Sequence, residues 1–202
     1  MGEQMEPGLR ERKKARTMHH LQEVALRLFT ERGFDAVTIE HVAAEAEVSP
    51  STVYRYFGTK EGLVILDEFD DPALGGLVSL LGSDVPLVTL VRTAISAIDG
   101  EHFVEARELT MVRSRMIMET PALRAAAGMR VVEISSELAV QLSVARGYPH
   151  HKALAIVAAL MGCVMAALFA WYESEGATSF SACIDEALAA LGELDAEPRP
   201  PS

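Results

Sequence analysis

The stretch Thr38-Ile39-Glu40-His41-Val42-Ala43-Ala44-Glu45-Ala46-Glu47-Val48-Ser49-Pro50-Ser51-Thr52-Val53-Tyr54-Arg55-Tyr56-Phe57 decides the fold. Two helix starts follow each other inside it. Thr38 reads as an N-cap, with Ile39, Val42, Ala43 and Ala46 forming an apolar stripe and Val37 placed to staple onto Val42. Ser49 then caps a second helix. Pro50 takes its first position, where the missing N–H costs nothing, and Val48 can staple onto Val53. The connection Glu45-Ala46-Glu47-Val48 is a tight turn, so the pair reads as a helix-turn-helix.

Toward the N-terminus, Leu21, Val24, Ala25, Leu28 and Phe29 fall at i, i+3, i+4, i+7 and i+8. They form one stripe of a longer helix that starts near Arg10 and ends at Gly33 as its C′ residue. Toward the C-terminus, Gly58 breaks the chain and Thr59, with Lys60 and Glu61, opens a fourth helix. In the second short helix Val53 and Phe57 share an inward face, which leaves Ser51, Thr52, Tyr54 and Arg55 pointing elsewhere. Small hydroxyls at a helix N-terminus suit phosphates and base edges, because the free N–H groups and the helix dipole already favour anions there. Directly before the motif, Arg10, Arg12, Lys13, Lys14 and Arg16 stand against a single acid, Glu11, and His19-His20 extend this basic arm. The formal charge of −11 resides elsewhere: residues 1–62 hold nine basic and ten acidic side chains, residues 63–202 nine and nineteen. Such a split turns a DNA-reading head toward its target and the rest of the chain away from it.

The run Ala25-Leu26-Arg27-Leu28-Phe29, Gly33-Phe34, Thr38-Ile39, Val42-Ala43, Val48-Ser49, Val53-Tyr54-Arg55-Tyr56-Phe57 and Lys60-Glu61-Gly62-Leu63 resembles the DNA-binding domain of the TetR family of one-component transcriptional regulators. The resemblance covers residues 10–63, about a quarter of the chain. It implies an all-α homodimer, each subunit with a three-helix head carrying the helix-turn-helix and a larger helical effector-binding and dimerisation domain. It also implies a palindromic double-stranded DNA operator and, for most members, repression. Position by position, it implies phosphate contacts at Thr38, Tyr54, Tyr56 and Lys60. Ser49, Pro50, Ser51, Thr52 and Arg55 are then left for base readout, beside Arg12, Lys13, Lys14 and Arg16 of the basic arm. Tyr56 and Phe57 also read as packing between the reading helix and the first helix. Glu47 departs from the pattern, which commonly has Gly in this turn; positive φ at a non-Gly residue costs about 1 kcal/mol and reshapes the turn.

Residues 153–172, ALAIVAALMGCVMAALFAWY, carry no charge over twenty positions and by length alone could span a membrane. Their composition argues for a buried helix instead: Ala158, Gly162, Ala166 and Ala170 recur every fourth residue, letting another helix approach closely. No polybasic anchor flanks the segment. A last helix from Thr178 or Ser179 carries Phe180, Ile184, Ala187, Leu188 and Leu191 on one face. Burial against a two-fold mate resolves both stripes, which places the dimer interface at Ala158, Gly162, Ala166, Ala170, Ile184, Leu188 and Leu191. Cys163 and Cys183 lie in or near it; their spacing supports neither a disulfide framework nor a zinc site, and buried inert thiols are expected.

In the middle segment, Asp99-Gly100 reads as a stop, Thr120-Pro121 as a start, and Gly147 with Pro149 as the next boundary. Flexible Met111, Met116, Met118, Met129 and Met165, with Phe103 and Phe169, can line an adaptable effector pocket, and each also reads as core filler. Arg107, Arg113, Arg115, Arg124 and Arg130 pair on solvated faces with Glu105, Glu108, Glu119 and Glu133, or, on the sharper reading, form a basic mouth with Arg115 for an anionic effector such as an acyl-coenzyme A.

Enzyme motifs fail in turn: GxSxG, GxxxxGK, HExxH and GxGxxG are absent. The adjacent pairs His19-His20 and His150-His151 point about 100° apart on a helix, and His41 reads as a surface residue. Neither a metal nor a cofactor is implied. Glu3 and Glu6, without an apolar run, predict no secretory signal, and two cysteines without a disulfide or zinc spacing fit a reducing cytoplasm. The expected organisation is a frayed tail at 1–9, a DNA-binding head at 10–62, a ligand-binding and dimerisation domain at 63–197, and a second tail at 198–202. Competing readings are a helical small-molecule sensor or carrier with weak or ligand-dependent DNA binding, and a membrane-anchored protein.

Overall fold

Leu21, Val24, Ala25, Leu28 and Phe29 lie on one buried face of α1, Leu9–Arg32, as their spacing requires. The computed structural model describes residues 9–66 and 70–193, with side chains for all of these except 9–12, 70–73, 101, 102 and 105. Among the described residues the architecture is all-α, with helices and turns and no strand. The tails expected at 1–9 and 198–202 lie outside this set, apart from Leu9, with which α1 begins.

Gly33 closes α1 at φ +85°, its N–H on the Phe29 carbonyl at 2.9 Å. Helix α2, Ile39–Glu45, starts on Thr38, and α3, Pro50–Phe57, starts on Ser49 with Pro50 in its first turn. Val53 and Phe57 face inward, as the pattern requires. The fourth start is realised one turn later than expected. Thr59 Oγ1 accepts the Gly62 N–H at 3.0 Å, and α4 is the short Gly62–Ile65. A Cβ on Gly62 would lie 2.0 Å from the Phe57 carbonyl oxygen, so the chain doubles back here only through glycine.

By packing, the chain forms two compact units. The first comprises Met1–Asp71 with Arg115–Ala127, and in it α1 packs against α2 and α4, and α2 against α3. Gln22, buried in α1, donates from its side-chain amide to the Leu66 carbonyl and ties α1 to the end of α4.

The second unit comprises Pro72–Ser114 and Gly128–Ser202. Its elements come from α5, Asp70–Leu80, α6, Leu87–Ile98, α7, Arg107–Glu119, α8, Pro121–Arg146, α9, His150–Glu173, and α10, Phe180–Glu193. The starts at Pro121 and His150 follow Thr120 and Pro149 as expected. Asp99-Gly100 does not stop the chain: α6 runs on into a π-helical stretch, Asp99–Glu105. Side-chain packing across that stretch, with Phe103 buried, overrides the local break signal.

Two apolar clusters hold this unit. One gathers Ile95, Phe103, Trp171, Phe180 and Ile184, where α6, the π-helical stretch, α9 and α10 meet. The other gathers Leu81, Leu90, Leu138, Leu142 and Val157 between α6, α8 and α9. Arg146 clasps the α5–α6 connection by donating to the carbonyls of Leu81 at 2.8 Å, Ser83 at 2.9 Å and Val85 at 2.6 Å.

Helix α9 is long and apolar enough to cross a membrane, and only 22% of its most apolar window is buried within one protomer. Ala158, Gly162, Ala166 and Ala170 are all exposed along it. Ile184 and Leu188 are placed differently from expectation. They are 1% and 5% exposed, buried inside the protomer, because α10 turns its apolar stripe onto α9 rather than outward. Leu191, 36% exposed near the end of α10, keeps an open position.

Candidate nucleic-acid interface

The N-terminus of α3 carries three linked hydroxyls. Ser49 Oγ accepts the Thr52 N–H at 3.3 Å and lies 2.8 Å from Ser51 Oγ and 2.9 Å from Thr52 Oγ1. Capping thus fixes the rotamers at the start of α3, and Ser49, Pro50 and Ser51 remain exposed, with Thr52 half-buried. One turn on, Tyr54 and Arg55 are exposed, and the Arg55 guanidinium lies 4.9 Å from the centre of the half-buried Tyr56 ring. The stacking aims a long cation along the outward face of α3.

The turn leading into α3 is a Schellman closure of α2. The Val48 N–H reaches the Ala43 carbonyl at 2.9 Å and the Glu47 N–H the Ala44 carbonyl at 3.3 Å, with Glu47 at φ +55°. Glu47 therefore takes the left-handed conformation that its place in the pattern demands.

At the N-terminus of α2, Thr38 is exposed and forms a reciprocal box with His41. The His41 N–H donates to Thr38 Oγ1 and the Thr38 N–H to His41 Nδ1, each at 3.3 Å. His41 lies on the surface, as expected, but it closes a cap that sequence reasoning missed, because this box ordinarily shows itself by Glu or Gln at the third position. Hydrogen bonds from its own backbone N–H and from Thr38 hold the Glu40 carboxyl below its ordinary range.

Lys60 is more engaged than its expected phosphate role requires. Its half-buried Nζ donates to the Phe34 carbonyl at 2.9 Å and lies 4.2 Å from the centre of the Phe34 ring. Lys13, Lys14 and Arg16 are exposed on α1. Arg12 lies on the same helix, with its side chain outside the described residues. Arg27 braces α1 against α2 through Glu45 at 2.5 Å and pairs along α1 with Glu31 at 3.5 Å, both on an exposed surface where such pairs favour alignment more than stability.

Of the expected pocket residues, Phe103, Met111, Met129, Met165 and Phe169 belong to the second unit. Phe103 is buried, stacked on Phe180 at 4.0 Å and edge-on to Trp171 at 5.0 Å, with Met111 half-buried against the same cluster. Met165 is half-buried on α9, whereas Phe169 is 45% and Met129 60% exposed. Arg115, exposed, and Met116 and Met118, half-buried, group with the first unit. Three of the arginines are engaged within their own units. Arg107 donates to the Glu175 carbonyl, Arg124 donates to the Met118 carbonyl at 2.9 Å, and Arg130 pairs with Glu133 at 3.5 Å. Helix-end carbonyls, which no residue pattern advertises, take cations that were expected on glutamates.

Cys163 and Cys183 are free and buried, and burial is the main reason that both thiols are pushed up from their ordinary range. A thiol kept protonated is a poor nucleophile. No cluster of three or more His, Cys, Asp or Glu fit to hold a metal ion occurs among the described residues.

The head geometry and the all-helical second unit define a helix-turn-helix protein with a separate helical domain. Residues 21–65 match the family described as bacterial regulatory proteins, tetR family, and residues 85–194, more than half of the chain, match the MftR C-terminal domain family. The chain belongs to the TetR family of bacterial regulatory proteins. It is 32% identical over 139 residues to the HTH-type transcriptional regulator TcmR of Streptomyces glaucescens, covering 66% of this chain and 62% of that protein. It is 30% identical over 118 residues to the putative mycofactocin biosynthesis transcriptional regulator MftR of Mycobacterium tuberculosis, covering 56% and 58%. The matches thus span about three fifths of the length of these relatives. The crystal structure of Thermus thermophilus FadR, a TetR family transcriptional repressor in complex with lauroyl-CoA, shares the fold with a TM-score of 0.54 over 92% of this chain and 98% of that one, at 19% identity.

Proposed function

We propose that this protein is a cytoplasmic, homodimeric, sequence-specific DNA-binding transcriptional regulator, a repressor released by a small molecule bound in its C-terminal unit. The observation that carries the reading is the exposed face of α3, where capped hydroxyls at Ser49, Ser51 and Thr52 and the stacked Arg55 stand in one row. Arg55, Ser51 and Thr52, with Ser49 and Pro50, read base edges in the major groove. Thr38, Tyr54, Tyr56 and the basic residues Arg12, Lys13, Lys14 and Arg16 hold phosphates. Lys60 adds charge there while pinning the turn at Phe34.

Two heads reading a palindrome must present their α3 helices about 34–36 Å apart, one turn of DNA. The mate covers the exposed small-residue face of α9, Ala158, Gly162, Ala166 and Ala170, with Leu191 at its edge. This face accounts for the apolar length of α9 without a membrane, since small residues let two helices meet closely. A released state need be favoured by effector by only about 2.7 kcal/mol to weaken DNA binding a hundredfold.

The testing experiment is selection of bound fragments from randomised duplex DNA at about 150 mM salt, where non-specific phosphate binding is already weak. Enrichment of a two-fold-symmetric site is expected. Folded protein that enriches no site would defeat the reading and favour a ligand-binding protein whose head does not read DNA.

A further inference from the structure

We propose that the second unit takes an effector bearing an ammonium group, bonded to the carboxylate of Asp99 beside the cluster of Phe103, Trp171 and Phe180. The inference rests on that unit being the effector domain. Asp99 ends α6 and opens the π-helical stretch. Its Oδ2 accepts a 2.5 Å hydrogen bond from the Ser181 hydroxyl of α10, while its Oδ1 is shut off from solvent with no hydrogen-bond partner among the described residues. A buried carboxylate oxygen left unpaired is costly, so this one calls for a donor.

The surroundings specify the donor's charge. Ser181, which holds Oδ2, directly follows Phe180, and the charge of Asp99 reaches Cys183 of the same cluster, so the carboxylate lies beside that cluster. Glu186 adds negative charge beside it, since after burial Glu186 and then Asp99 push up the Cys183 thiol, while the Arg107 guanidinium stands at the Gly176 end of Trp171. Arg92, the cation on the same α6–α10 seam, is neutralised by Asp185 at 2.6 Å. Residues 63–202 hold nineteen acidic side chains against nine basic, a balance that draws in cations and repels anions. An apolar tail on the same molecule would find the half-buried Met111, Leu160 and Val164 on the rim of the cluster.

Trp171 is the chain's one tryptophan, so its emission reports on this cluster without a label. The 202-residue chain is titrated, below micelle-forming concentrations, with dodecylammonium, dodecanol and dodecanoate, which share a tail and differ in charge. The expected result is a saturable change in Trp171 emission, tightest for dodecylammonium. Asp99→Asn should weaken that binding roughly ten- to hundredfold and leave dodecanol unmoved. Ser181→Ala, which keeps the charge and frees Oδ2, should retain or tighten dodecylammonium binding, separating charge from any loss of fold in Asp99→Asn. Dodecanoate binding as tightly as dodecylammonium overturns the proposal, as does Asp99→Asn with unchanged dodecylammonium affinity, the result expected if water satisfies Oδ1. Because this readout needs no DNA, a failed operator selection with ammonium binding intact counts against the regulator reading alone. A recovered operator with no ammonium response counts against this inference alone.

Discussion

Glu47 holds φ +55° in the turn between α2 and α3, a conformation that costs a residue with a Cβ about 1–2 kcal/mol. Glu47→Gly should therefore raise stability by about 0.5–1 kcal/mol, part of the relief being offset by the greater freedom of glycine in the unfolded chain. Urea unfolding checks this, and a lowered midpoint would mean that the glutamate side chain itself supports the turn. Gly62 presents the opposite case: Gly62→Ala sets a Cβ against the Phe57 carbonyl and should cost about 1–3 kcal/mol by the same measurement. The strain at Glu47 was legible in the sequence, since it departs from a pattern with glycine at that place. The roles of His41 and Lys60 were not, because each depends on a partner fixed by backbone geometry, the Thr38 N–H and the Phe34 carbonyl. Lys60→Ala should accordingly lower the head's stability by about 1–2 kcal/mol in addition to weakening DNA binding and flattening its salt dependence. A variant that only changes base preference would contradict both roles.

At the scale of the element, α3 does two things with one set of hydroxyls. Ser49 satisfies the Thr52 N–H, so Ser49→Ala should cost about 1 kcal/mol of stability, read in urea unfolding, even with no DNA present. Arg55→Ala should leave stability nearly unchanged and relax sequence preference, with about 1–3 kcal/mol less discrimination at the base it meets. Selection from randomised DNA would show whether one position of the site loses its bias. Helices α2 and α3 were legible because caps, proline and staple residues agree with the apolar period. The end of α6 was misjudged, since Asp99-Gly100 carries the local chemistry of a stop and the burial of Phe103 carries the chain past it.

For the whole molecule the decisive surface is the outer face of α9. Gly162 has nothing within 4 Å of where a Cβ would stand, so Gly162→Leu fits the protomer and obstructs a close-packed mate. Sedimentation of this variant should show a monomer of unchanged helicity, and a dimer that persists would place the interface elsewhere. The first three helices, the caps at Thr38 and Ser49 and the inward faces of α1 to α3 were legible in the chain, because these follow from interactions within a few residues. Packing between distant helices set the rest: Ile184 and Leu188 turn inward onto α9, Arg107 and Arg124 serve carbonyls, and one Asp99 oxygen finds no partner among the described residues. A side chain's periodicity says that it must be buried or paired; which partner does so is set by elements distant in the chain, and that information exists only once the helices have packed.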